Sequence, residues 1–533
     1  MSNRRFFLLS LAVMMVLVLL PYGLGRAMTR HGSLFYGNRT VSVADNSIYY
    51  SYINQGRHGQ LFMYDAFTSE QHQATLFQPV WFGLGIIARI FSLNAPDAFM
   101  LGRIVTMPVL IFTLWWAARW FWPGDRLRQR LGFILSLTAS GVGGIGLALS
   151  TQNLSHAVWY FPDLWVTEAY TMLTLGGSPH FILVTAGIVF VLVATERSWI
   201  ERRWSWTLWA GLVALITLSI HPFHIVTWGL VWFGLTIWRS IVARRIMWSY
   251  IVRWLVVISM ASPILLLYWL QLRFDPLTIG RAVQNSNLSL PLWLMALGLG
   301  FPLMAAIVGV WRWRPRDERW KFVVVLATAY FVAIYLPLLF QRRLSQGLVL
   351  PIAWLAVPVV AALYTTMQRR FRYAVVIVST GVFFILTSSW IIISGLQVRD
   401  YAADLTVPLH MYYVSPSYQH LARYLATTNV HQPVLSTLLE GNVLGGLSAH
   451  QMFLGYGVET LQFTLKWGLT KSFYGHMSLE EQRQVLSRYH LCYVIESYRT
   501  QQYGDAFQPT HWPDLTRVWS EGDISLYRTP YCQ

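Results

Sequence analysis

An all-α polytopic membrane bundle followed by a soluble α/β domain is the fold class this sequence predicts. Three observations carry it. Apolar runs of about 20 residues recur along the chain, each long enough for a bilayer span. Arginines cluster in alternate short loops between those runs, as cytoplasmic loops require. The tail from residue 396 instead alternates helix and strand signals.

The 533 residues are 55% hydrophobic and 12% charged, about half the charge share of an ordinary soluble domain. A net charge of +17 could be the footprint of a nucleic-acid binder. Its distribution excludes that reading: the basic residues are nearly all Arg and sit in short loops between spans. No nucleic-acid partner is therefore expected. The amino terminus, Met1 to Arg5 followed by an apolar run to Leu20, resembles a signal peptide. Pro21-Tyr22-Gly23 follows in place of a small-residue cleavage site, so the run reads as an uncleaved first span.

Apolar runs lie near 6–25, 76–93, 99–121, 131–150, 179–196, 205–220, 223–240, 251–270, 291–311, 322–340, 348–366 and 373–395. The run 76–93 is ambiguous, because it contains Gln78, Pro79 and Arg89. Charge decides it. If it lies at the interface, the clusters Arg126/Arg128/Arg130, Arg197/Arg202/Arg203, Arg244/Arg245, Arg312/Arg314/Arg316 and Arg369/Arg370/Arg372 share the side of Arg4 and Arg5, which is then cytoplasmic. If it crosses, every later loop inverts. The expectation is about eleven true spans within residues 1–395, with interfacial helices in the outer loop 25–98. The extracytoplasmic α/β domain is expected over 396–533.

Within the tail, Ser478-Leu479-Glu480-Glu481 is a capping box opening a helix to Tyr489, and Leu491–Ile495 reads as a buried strand. Residues 515–520 and 524–528 around Gly522-Asp523 read as a hairpin. Gly441-Asn442-Val443-Leu444-Gly445-Gly446 lacks the spacing of a nucleotide-binding fingerprint. Cys492 and Cys532 fall in this outward domain, where either a disulfide or two thiols is permitted, and neither has metal-ligand spacing.

Chemistry-bearing residues gather in the loops expected outside. The first loop holds Asp45, Asp65, Glu70 and His72, with an amphipathic stretch Ser47–Gln55 able to lie on the bilayer. Asp45 with Asn46 could cap that helix or supply a catalytic carboxylate. Pro162-Asp163-Leu164-Trp165-Val166-Thr167-Glu168 and Ser178-Pro179-His180 place acids and an imidazole at either end of a second loop. They read equally as solvated acids and an interfacial histidine. His221-Pro222-Phe223-His224 marks a sharp corner, and two histidines at that spacing are weak evidence for metal. Arg342 and Arg343 break the arginine pattern by lying outside. Guanidinium groups clamp phosphate, whether as head-group anchors or as a specific site. Arg103, inside an apolar run, requires a partner or a polar cavity.

The matching pieces Ala44-Asp45-Asn46-Ser47-Ile48-Tyr49-Tyr50, Phe77-Gln78-Pro79, Leu101-Gly102-Arg103 and Phe340-Gln341-Arg342-Arg343 resemble the C-type membrane glycosyltransferases (GT-C fold). Protein O-mannosyltransferases and lipid A aminoarabinose transferases belong to that superfamily. Phe67-Thr68-Ser69-Glu70, Trp165-Val166-Thr167-Glu168-Ala169 and Ser178-Pro179-His180-Phe181 look like a bacterial branch with an outward α/β domain. Many relatives carry two acids after the first span, where this chain has Asp45-Asn46. The resemblance implies transfer of a sugar from a polyprenyl-phosphate donor to a glycan, lipid or protein acceptor at the outer face of the cytoplasmic membrane. Asp45 would deprotonate the acceptor, and Arg342 and Arg343 would hold the lipid phosphate. Glu168, His180, Glu70 and Arg103 would contact sugar or acceptor. No cofactor is required by it, and a divalent metal is left open.

Two other classes compete. A transporter or flippase would place polar groups near the midplane and show repeats of spans, and no repeat is visible. A non-catalytic envelope-assembly protein would use the tail as a binding module.

Overall fold

The computed structural model describes residues 2–37, 44–149, 158–312, 317–366, 394–396, 398–399, 401–402, 408–410 and 412–532. The chain divides into two compact units.

The first unit comprises Met1–Pro21, Gly102–Leu270 and Ser286–Leu396 and is helical. Among the described residues of the whole chain, eight helices are long and apolar enough to cross a membrane, so this is a multi-pass membrane protein. Trp204–Ile220 and Glu318–Ala333, at 17 and 16 residues, are shorter, and the expected run 373–395 lies outside the described residues except at 394 and 395. Proline recurs inside these helices, at Pro108, Pro263, Pro302 and Pro358. Membrane helices tolerate it because neighbours and local adjustments satisfy the freed carbonyls. One buried charge is paired: Arg239 donates to Glu196 at 2.6 Å, and the Tyr250 hydroxyl reaches the same carboxylate at 2.6 Å.

The second unit comprises Tyr22–Leu101, Gln271–Asn285 and Gln397–Gln533. The first loop, a short segment between later spans and the tail thus fold together, whereas the sequence reading grouped the first two with the membrane region. The ambiguous run 76–93 opens with strand Leu76–Phe77, paired antiparallel with Phe62–Met63. It continues as helix Pro79–Ile90, whose 12 residues span about 18 Å at 1.5 Å each, short of the roughly 30 Å hydrocarbon core. It cannot cross. The tail sheet has the order Val434–Leu435, Tyr493–Glu496, Ile524–Arg528, Thr516–Glu521, with the first pair parallel and the others antiparallel. The expected hairpin and the Ser478–Glu481 capping box are both present.

One core joins the pieces of this unit. Ile48, Ile53 and Trp81 from the first loop are buried with Val434, Val443 and Ile495 from the tail. Strand Leu34–Phe35 pairs with Tyr413–Val414 across the whole intervening chain. The glycines at 441–446 serve this packing. They lie in helix Leu438–Ser448, which runs against helix Asp45–Arg57. A Cβ on Gly446 would stand 2.6 Å from the Tyr36 hydroxyl and 2.9 Å from Ser47 Cα. Gly441 and Gly445 are held close too, by the Leu454 carbonyl and the Phe67 ring, so the run is a packing surface. Gly446→Ala should therefore lower the thermal unfolding midpoint of the purified protein. Gly468→Ala, in a helix interior with nothing within 4 Å of the new Cβ, should leave the midpoint unchanged or raise it, since a helical Gly→Ala change adds about 0.5–1 kcal/mol of stability. A scanning fluorimetry measurement separates the two.

Candidate functional site

Asp45 opens helix Asp45–Arg57 as its first residue. The preceding Ala44 is helical in φ and ψ, and no side chain caps the helix. The expected cap is thus not made, although an acid in the first turn suits the helix dipole. Instead the Tyr456 hydroxyl donates to Asp45 Oδ1. Burial, reinforced by the Asp45 charge, drives the Tyr456 hydroxyl far above the usual phenol range, so it stays a donor. The acid's helix is fixed from the tail. Ser47 Oγ donates to Asn442 Oδ1 at 2.7 Å, and Asn442 Nδ2 donates to the Ala44 carbonyl at 3.2 Å.

Tyr456 and Ala44 also line a cavity of about 390 Å³ within this unit, together with Asn442, Trp467, Arg499, Gln502 and Tyr503. Arg499 donates to the Leu409 carbonyl, while its Nε–H is buried with no partner among the described residues.

An ionic cluster lies in the same unit. Arg281, on helix Pro276–Gln284, pairs with Asp65 at 3.5 Å and with Glu459, and reaches the Tyr52 hydroxyl at 3.4 Å. Burial raises the Asp65 carboxyl above the usual carboxylate range against the opposing pull of Arg281. Asp275 caps the Arg281 helix by accepting from the Leu277 N–H at 3.2 Å, and its other oxygen accepts from the Thr75 and Thr278 hydroxyls at 2.7 Å. Glu70 is taken by the fully buried Lys466, at 2.8 Å, and by the Thr68 hydroxyl. Burial lowers the Lys466 ammonium against the pull of Glu70. Glu70 therefore serves an internal pair that orders the loop.

The remaining expected residues belong to the first unit, where three loops are stitched together. The Gly347 N–H donates to the Glu168 carbonyl at 2.9 Å, and Val349 N–H to the Ala169 carbonyl at 3.2 Å. Gln346 is the hub. Its Oε1 accepts at 3.0 Å from His221 Nδ1 and from His224 Nε2, and its Nε2 donates to the Phe181 carbonyl and the Thr185 hydroxyl. His180 is buried, with Nδ1 2.6 Å from Ser178 Oγ and its ring 5.1 Å from that of His221. Arg342 donates to Asn287 Oδ1 at 2.7 Å, lies 5.0 Å from the Trp165 ring, and keeps a buried Nε–H with no partner among the described residues. Arg343 lies 5.6 Å from the Phe223 ring. The Glu168 side chain is half-buried. Arg103 finds the partner its burial demands in the Gly177 carbonyl, at 2.7 Å. Asp163 is not a solvated acid. It is buried and accepts from Ser140 Oγ and the N–H groups of Gly141 and Gly143.

Among the described residues no group of three or more His, Cys, Asp or Glu side chains could hold a metal ion. Cys532 Sγ lies 3.7 Å from the Cys492 carbonyl, and no disulfide joins the two.

Sequence reasoning missed Tyr456, Glu459 and Lys466, whose only signal is spatial. Arg281 could have been found: it lies in loop 271–290, expected outside, and breaks the arginine pattern as Arg342 and Arg343 do.

No family model and no curated protein matches the sequence. Solved structures do match its fold. ArnT from Cupriavidus metallidurans bound to undecaprenyl phosphate is 12% identical over 100% of both chains, with a TM-score of 0.55. The Archaeoglobus fulgidus oligosaccharyltransferase tethered to an acceptor peptide containing the NVT sequon is 11% identical over 91% of this chain and 69% of that one, with a TM-score of 0.52. These likenesses show that the chain has the GT-C fold of membrane glycosyltransferases, as its sequence led one to expect.

Removing Arg281 leaves two carboxylates facing each other. Arg281→Ala should destabilise the second unit by about 3–5 kcal/mol, the usual penalty for half of a buried pair. Arg281→Lys, which keeps the charge, should cost less. Thermal unfolding followed by limited proteolysis of the tail checks both.

Proposed function

We propose that this protein is a membrane glycosyltransferase that moves a sugar from a polyprenyl-phosphate donor to an acceptor at the outer face of the cytoplasmic membrane. One observation carries the reading: Asp45, in the loop that follows the first span, holds a carboxylate bonded by Tyr456, and Tyr456 and Ala44 line a ligand-sized cavity. Support for the donor comes from the fold shared with a protein solved with undecaprenyl phosphate.

In this scheme the Asp45 carboxylate takes the proton of an acceptor hydroxyl while that oxygen bonds to the sugar's anomeric carbon. The bond from that carbon to the phosphate oxygen breaks, and the polyprenyl phosphate leaves with the electron pair. Tyr456 holds the carboxylate in position without competing for its proton, since its own hydroxyl resists ionisation. Arg342 and Arg343 are the proposed ligands of the lipid phosphate. Their guanidinium groups lie 5.0 and 5.6 Å from the Trp165 and Phe223 rings. Charge developing on a leaving phosphate is the kind that preorganised donors stabilise. Glu168 and His180 are assigned to sugar or acceptor contact. Glu70 and Arg103 would act indirectly, through Lys466 and the Gly177 carbonyl.

Asp45→Asn should reduce transfer from a polyprenyl-phosphate sugar by about 10²–10⁴-fold, measured with radiolabelled donor in membranes. Wild-type transfer by the variant would remove Asp45 from the mechanism. The orientation is checked separately. Cysteines placed at 124–130 and 201–203 should resist an impermeant thiol reagent applied outside intact cells, and labelling there would invert the topology.

A further inference from the structure

The cavity beside Asp45 has its own chemistry. Its volume of about 390 Å³ falls in the small-ligand range of about 300–1,000 Å³. Its walls are mostly apolar, built from Trp467, Tyr503 and Tyr456 with leucines of helix Leu438–Ser448. Trp467 sits between Phe463 and Lys471 on its own helix, 5.6 Å and 4.0 Å away, and is still 36% exposed. Polar groups are few and specific. The Arg499 Nε–H has no partner among the described residues, and Gln502 is exposed. The Asn442 amide is already spent on Ser47 and Ala44, so it shapes the wall without addressing a ligand.

An acyl chain would fill the aromatic part and leave the polar Arg499 and Gln502 on the wall without a ligand partner. A wholly polar ligand would strip water from its own groups against rings that return nothing. A saccharide ring answers both, because it has an apolar C–H face for the aromatic walls and hydroxyl edges for Arg499 and Gln502. We infer that this cavity binds a saccharide unit of the acceptor and presents one of its hydroxyls toward Asp45, with Trp467 and Arg499 setting specificity. The inference rests on the transferase reading for the word acceptor, but not for the binding itself.

The test is binding of methyl glycosides of common hexoses, pentoses and hexuronic acids to the full-length protein in lipid nanodiscs, by saturation-transfer NMR. Short-chain glycolipids carrying the same rings form a second arm, which tells a glycan from a glycolipid source. At least one glycoside should bind saturably. Trp467→Ala and Arg499→Ala should each weaken it about tenfold or more, a loss of about 1.4 kcal/mol. Trp467→Phe should retain most of the affinity, which excludes a folding defect. Failure of every glycoside and glycolipid to bind, or binding indifferent to Trp467→Ala, overturns the inference. Glycoside binding without transfer from any polyprenyl-phosphate sugar would sink the transferase reading and leave the pocket standing.

Discussion

The second unit depends on the close packing of helix Asp45–Arg57 against helix Leu438–Ser448. Ser47 and Asn442, which are 395 residues apart, share a hydrogen bond that only the absent side chain of Gly446 allows. The same contact aligns Asp45 with Tyr456 and closes one wall of the cavity. A carboxylate in a long loop would ordinarily wander. Here the helix bearing it is part of a core to which the tail contributes most of the strands, so its position is as rigid as that core.

Several buried charges in this protein are held as ion pairs. Arg281 is shared by Asp65 and Glu459, Lys466 is given to Glu70, and Arg239 is given to Glu196. Each buried ion would be costly alone, and each pair joins segments that are distant in sequence. Arg342 departs from this habit. It makes one hydrogen bond to Asn287 and rests on Trp165, yet retains a buried donor with no protein partner among the described residues. Arg499 is left in the same condition at the cavity.

Residue patterns were sufficient for what is local or statistical. The spans follow from apolar runs, and the interfacial nature of 76–93 follows from arginine bias. The capping box at Ser478 and the hairpin around Gly522 follow from short-range chemistry that needs no partner. Asp45 itself stood out by its place after the first span. Its engagement by Tyr456 was invisible, since no periodicity links positions 411 residues apart. The capping role expected of it failed because the chain enters the helix already helical at Ala44, leaving the carboxylate to turn elsewhere. Asp163 likewise reads as a loop acid until the N–H groups of Gly141 and Gly143 are found around it.

Composition and charge therefore determined on their own that this is a multi-pass membrane protein with a folded tail, because bilayer thickness and the arginine bias act on every residue independently of its distant neighbours. Tertiary structure alone decided that the first loop, residues 271–285 and the tail form one unit, and that Glu70, Asp65 and Arg281 are internal ties. It also decided that the glycines at 441–446 are packing surfaces. Those outcomes depend on which buried groups must satisfy one another, and that requirement is met between segments hundreds of residues apart, where sequence spacing carries no signal.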